Sequence, residues 1–189
     1  MIRADRKDKE RIIDILTSSF EENKSVNYII QQDGKRMERI RNLMDYSFEL
    51  CHMFGHVFLS DDKKACALIL LPDKKKTSIK SILLDMKLIT SSMGISNIKK
   101  AMEREAKVKR LHPKGLIYYL WYIGVDAEEQ NMGIGSSLLK EVLKESYTKQ
   151  RPVYLETSEL KNIPWYEKFG FKIYNELDLG YKLIFMKRD

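Results

Sequence analysis

Apolar positions along the chain follow helical and strand rhythms in turn. Ile12, Ile13, Leu16 and Phe20 recur at helical spacing behind Asp5, a suitable cap, and residues 2–4 read as a very short first strand. A second helix, about residues 34–53, places Met37, Ile40, Leu43, Met44, Phe48 and Cys51 on one face until Gly55 breaks it. Residues 56–60 and 65–71 then predict two antiparallel strands joined by Asp61-Asp62-Lys63-Lys64. Between Pro72 and Pro113 only Gly94 interrupts a run of helix formers, which predicts helices over 78–92 and 96–109. This stretch is too long for a plain strand connector. It reads as an insertion covering part of a sheet or an acceptor pocket, a specificity element rather than a catalytic one, with Met86, Met93 and Met102 as core filler. The apolar run 116–125 predicts a buried central strand, and Ile134, Leu138, Leu139, Val142 and Leu143 predict the helix after it. Residues 152–158 read as another strand, 162–171 as a short helix closed by glycine, and 171–174 with 181–186 as a final hairpin.

Where the central strand gives way to its helix, the chain reads Gln130-Asn131-Met132-Gly133-Ile134-Gly135. Backbone N–H groups at a helix start lack intrahelical partners and stand at the positive end of the dipole, so a glycine turn there suits phosphate oxygens. A nucleotide P-loop requires Lys and then Ser or Thr after its last glycine, whereas Gly135 is followed by Ser136-Ser137 and no lysine before Lys140. A dinucleotide fingerprint requires a third glycine that Ser136-Ser137-Leu138 does not supply. On spacing alone, an ordinary strand-to-helix loop stays open as the alternative.

Gln130, Gly133 and Gly135 resemble the Gln/Arg-x-x-Gly-x-Gly signature of the GNAT acetyltransferases, and the block from Asn162 to Phe171 resembles the second motif of that superfamily. Leu155-Glu156-Thr157-Ser158 followed by Asn162-Ile163-Pro164-Trp165-Tyr166-Glu167 is similar to its puromycin N-acetyltransferase-like branch. The resemblance spans about residues 116–175 and implies an α/β GNAT fold: a mixed, mostly antiparallel central sheet flanked by helices, with the two-helix insertion before the central strand. It implies acetyl-CoA as co-substrate, its pyrophosphate on Gln130, Asn131, Met132, Gly133, Ile134, Gly135 and Ser136. The pantetheine arm would lie along Ile123, Gly124 and Val125, where Gly124 fits a bulge. Asn162 would contact the coenzyme and could also cap the short helix. Tyr166 would be the general acid that protonates the leaving thiolate. Glu156 is the first candidate to receive the acceptor amine's proton, although period-two alternation leaves open which side of the sheet it faces. His112, before Pro113, is a possible base but reads more readily as structural.

The chain of 189 residues is expected to be one domain, 1–189, with 43% hydrophobic and 32% charged residues, values of an ordinary globular protein. No apolar run reaches the ~20 residues of a membrane span, and no hydrophobic signal core opens the chain, so a soluble cytoplasmic protein without membrane partner is expected. Cys51 and Cys66, both among apolar neighbours, read as buried free thiols. The net charge of +7 comes largely from Lys74-Lys75-Lys76 and the stretch 99–110, which read as solvated charge without a nucleic-acid motif. His52, His56 and His112 lack partners at metal-ligand spacing, and no metal is expected. The expected function is direct acetyl transfer from acetyl-CoA to a primary amine, a small molecule being favoured. A non-catalytic acyl-CoA sensor and, further off, a basic nucleic-acid-binding protein are the alternatives.

Overall fold

The computed structural model describes residues 1–94 and 97–189. A seven-stranded mixed sheet runs in the order β1-β2-β3-β4-β5-β7-β6. Its strands are β1 (Ile2–Arg3), β2 (Gly55–Leu59), β3 (Ala65–Leu70), β4 (Tyr118–Val125), β5 (Val153–Thr157), β6 (Lys172–Asp178) and β7 (Lys182–Arg188). Every neighbouring pair is antiparallel except β4 and β5. That one parallel pair holds for only two register positions, Tyr118↔Val153 and Tyr119↔Tyr154. Beyond Tyr119 the strands part, and the backbone facing the gap is left without a ladder partner.

Helices cover both faces. On one side lie α1 (Lys9–Ser19), the short α2 (Lys24–Ile29) and α3 (Arg36–Phe54), packed through Ile12, Leu16, Met44 and Phe48 against Leu68, Tyr122 and Phe185. On the other lie α6 (Ile134–Thr148) and α7 (Ile163–Lys168), packed through Leu139, Val142 and Tyr166 against Leu120, Leu155 and Met186. Asp5 caps the short 3-10 turn Arg6–Asp8 that leads into α1, its carboxylate accepting from the Lys7 N–H, whereas Asp8 at the N-cap of α1 itself makes no capping bond. Asn23 caps α2 through Ser25 and Val26, an element the apolar spacing did not disclose because its six residues are too few for a periodic signal. Gly55 follows α3 and opens β2, and the position requires glycine because a β-carbon there would come 1.9 Å from the Ile69 carbonyl oxygen.

The insertion forms α4 (Ile79–Leu88), a π-helical turn (Ile89–Met93) and α5 (Ile98–Leu111). Residue 96, the expected start of the second helix, lies outside the described residues. Two of the three methionines correct the sequence reading: Met86 and Met102 are exposed rather than core filler, and only Met93 packs against the core. The final hairpin is longer than expected because β6 continues through Glu176 and Leu177, and the turn tightens at Gly180, whose φ is +84°.

Candidate active site

Gly133 is the hinge of the β4-to-α6 turn. Its φ of +81° lies in the left-handed region, and nothing within 4 Å would oppose a β-carbon, so the position demands conformation rather than space. Asn131 is left-handed too, at φ +66°. Gly135 is constrained by space, because a β-carbon would stand 3.1 Å from Val125 Cγ2 and 4.0 Å from Trp165. Helix α6 can therefore seat its first turn against β4 and α7. No side chain caps that turn, which leaves its N–H groups for an anion. Ser136 is fixed by the Trp165 indole, whose Nε1–H donates to its hydroxyl at 2.9 Å. Gln130 is exposed, with its amide 3.5 Å from the Val125 carbonyl. Met132 is likewise exposed.

From this turn one cleft of about 1350 Å³ runs through the parting of β4 and β5 to the insertion helices. Ile123, Gly124, Val125, Gln130, Asn131, Gly133, Ile134, Gly135, Ser136, Glu156, Asn162 and Tyr166 all line it; Met132 does not. A turn shaped for phosphate and a gap walled by unpaired strand edge together fit an extended molecule with a diphosphate at one end.

Gly124 is not the bulge. It pairs in register with Cys66, and its missing β-carbon admits Leu16 and Ser19 of α1, both 3.1 Å from where that carbon would be. The register shifts instead between Leu68 and Ile69, which face Tyr122 and Leu120 and leave Trp121 as the extra residue. The Val125 carbonyl accepts from the Ser19 hydroxyl at 2.7 Å. Asn162 occupies the N-cap position of α7, yet its side chain makes no capping bond, so its amide stays available at the cleft wall.

Tyr166 is 7% exposed, and burial pushes its phenol's pKa up, so it holds its proton until a strong base arrives. Glu156 lies on the opposite side of the sheet from Tyr166, with its side chain only 7% exposed. One carboxylate oxygen accepts from the Tyr154 hydroxyl at 2.6 Å and from His112 Nε2 at 3.0 Å, while Arg104 stands 3.9 Å from the other. Because a carboxylate only accepts, this contact makes Nε2 the donor. The ring packs edge-on against Tyr119 and Tyr154, with centroids at 5.4 and 4.8 Å, and lines the cleft. Arg104 is fastened by Ser25 and Tyr181.

Arg104 was not read from sequence, and His112 was weighed there as a base but read as structural. A signal was present: Glu156 follows Val153-Tyr154-Leu155 in a core strand, and a carboxylate there needs a donor. Which donor depends on tertiary structure. Cys51 and Cys66 are fully buried, and burial pushes both thiols up, so neither offers a nucleophile. Among the described residues no group of three or more His, Cys, Asp or Glu side chains could hold a metal ion, and no helix is long and apolar enough to cross a membrane.

Residues 98–173 match the model of the acetyltransferase (GNAT) domain. A stretch of 54 residues is 41% identical to an uncharacterised N-acetyltransferase of Schizosaccharomyces pombe, covering 29% of this chain and 22% of that protein. The chain thus spans about a fifth of that relative's length. Over 99% of its length the fold resembles a histone acetyltransferase HPA2-related protein of Corynebacterium glutamicum, with TM-score 0.71, 17% identity and 93% of that chain covered. It also resembles arylalkylamine N-acetyltransferase 2 of Aedes aegypti, with TM-score 0.63 and 16% identity, again over 99% of this chain and 96% of the other. The chain is thus similar to the GNAT acetyltransferase domain in sequence over residues 98–173, and in fold to these structures over nearly its whole length.

Proposed function

We propose that the protein transfers an acetyl group from acetyl-CoA directly to a small primary amine. One observation carries this reading: a single cleft joins the uncapped start of α6 to the Tyr166 hydroxyl on one side of the parted strands and to the His112–Glu156 pair on the other. The turn Gln130–Ser136 would hold the diphosphate, Ile123 and Gly124 would border the extended arm, and the Asn162 amide would meet it near α7. When bound, acetyl-CoA supplies the activated acyl group as a thioester.

The residues then divide the proton work. The amine nitrogen forms a bond to the acyl carbon as the carbon–sulfur bond breaks. One proton leaves the nitrogen on the β5 side of the cleft, and the departing thiolate takes one from Tyr166. Glu156, deep and already accepting two hydrogen bonds, acts through His112: it orients the ring and stabilises the positive charge the ring gains with that proton. Glu156 is thereby a positioning residue, and His112 is the group that reaches the acceptor. Holding both reactants in one cleft supplies much of the acceleration, as near-attack geometry does in general. The segments Leu155–Ser158 and Asn162–Glu167 support a place near the puromycin-acetylating branch, and the domain is taken to extend over 1–189.

The test is thiol release from acetyl-CoA in the presence of amines, repeated with Tyr166→Phe. We expect turnover to fall by about 10²-fold or more at an unchanged KM for acetyl-CoA, the scale of losing a general acid. Unchanged turnover under conditions where chemistry is rate-limiting would remove Tyr166 from this role.

A further inference from the structure

The bulge in β4 changes what the acceptor end of the cleft can hold. Before it the strand alternates regularly, with Tyr118 and Leu120 in the α6 layer and Tyr119 in the α1–α3 layer. One extra residue resets the phase, so Trp121 and Tyr122 both face the α1–α3 layer while Ile123 and Val125 fall on the α6 side. Three aromatic rings, at 119, 121 and 122, thereby stand on one wall of the cleft.

Their arrangement leaves Trp121 as the centre of the group. Its indole lies 6.3 Å from Tyr119 at an interplanar angle of 26° and 5.3 Å from Tyr122, and it meets the Tyr46 ring edge-on at 6.4 Å. Tyr46 is held by donating its hydroxyl to Asp85 of the insertion helix α4 at 2.7 Å. Tyr119 in turn packs against the His112 ring, so the aromatic wall leads to the imidazole–carboxylate pair. Trp121 and His112 thus both pack against Tyr119, with ring centroids at 6.3 and 5.4 Å.

We propose that the acceptor is an arylalkyl primary amine, with its ring on the Trp121 wall and its amine directed to His112; this rests on the acetyltransferase reading given above. Such a ligand gains aromatic contact at one end and presents one cationic group, which the ring faces and Glu156 favour.

The test compares phenethylamine and tryptamine with hexylamine, spermidine and a lysine-containing peptide as acceptors for the full chain, read as thiol release. We expect kcat/KM for the arylalkylamines to exceed that for hexylamine by about tenfold, the upper range for aromatic contact beyond area. Trp121→Leu should raise KM for phenethylamine by about as much and for hexylamine by clearly less. Trp121→Phe should recover most of that loss, and calorimetric binding of acetyl-CoA shows that each variant is folded. A preference for hexylamine, spermidine or the peptide would overturn this inference alone, as would a Trp121→Leu loss equal for all amines. Bound acetyl-CoA with no release for any amine would overturn the acetyltransferase reading and this inference with it.

Discussion

Substituting Gly133 isolates the conformational demand of the anion turn from its steric demand. A β-carbon at this position meets nothing within 4 Å, so Gly133→Ala adds no clash, but φ is +81° and alanine there costs about 1–2 kcal/mol. That energy must appear in one of two measurements. If the unliganded turn keeps its left-handed shape, folding bears the cost, and a domain of this size loses about 2–8 °C in Tm. If the free turn relaxes, stability is spared, and acetyl-CoA binding, which needs the N–H groups of α6 aimed together, weakens by about 5- to 30-fold. Gly133→Asn is the internal control, since asparagine tolerates the left-handed region and should recover part of either loss. Thermal unfolding and calorimetric titration with acetyl-CoA on the same preparations give both quantities. An alanine variant matching wild type in Tm and in affinity would refute the reasoning, because the turn would then have no need of a left-handed residue.

Three further outcomes follow from the structure. His112→Ala should lower turnover by about 10²-fold with an unchanged KM for acetyl-CoA, as removal of a proton acceptor does. Glu156→Gln should retain binding of acetyl-CoA and lose turnover through the misdirected ring, while equal losses in acetyl-CoA affinity for both variants would assign the pair to architecture instead. On the far side of α3, Glu49 is desolvated by burial, which alone would raise its carboxyl. Its contacts with Lys9, Lys80 and Arg6 outweigh this and hold the pKa at about 2. A depressed folded pKa gives stability that is present above the unfolded value and lost as pH falls. The protein should therefore lose on the order of 2–3 kcal/mol from this group between about pH 4.5 and pH 2. Denaturant titrations of wild type and Glu49→Gln across that window should converge at the acidic end, and a constant gap between them would contradict the linkage.

The glycine turn at one end of the cleft was legible in the sequence because its determinants are local. Gln130, Gly133, Gly135 and the apolar rhythm of α6 occupy one stretch of chain, and a turn's geometry depends on the residues within it. At the other end Glu156 and His112 were picked out singly, but their pairing was not legible, because its contacts join distant segments. His112 and Glu156 are 44 residues apart, and Arg104 reaches Ser25 and Tyr181 across the fold. The bulge was placed at Gly124 since strand glycines often mark one. It lies at Trp121 because the β3–β4 register decides where the extra residue falls, and register is a property of two strands.

That register error has a functional consequence, and so does the reading of the insertion as a specificity element alone. Helix α5 carries Arg104 along its length and ends at His112, while Tyr174 of β6 donates its hydroxyl to the Leu111 carbonyl beside that end. The same insertion, through Asp85 of α4, fixes Tyr46 against Trp121. On the proposed reading, the acceptor's ring and the acceptor's proton would both be received by side chains that depend on one two-helix unit. A change in its packing should alter selectivity and turnover together, whereas a change at Gly133 should alter acetyl-CoA binding without altering the order of preference among amines. Measuring the amine panel with Gly133→Ala and with Tyr174→Phe separates these cases, because only loss of the Leu111 contact disturbs the helix end from which His112 reaches Glu156.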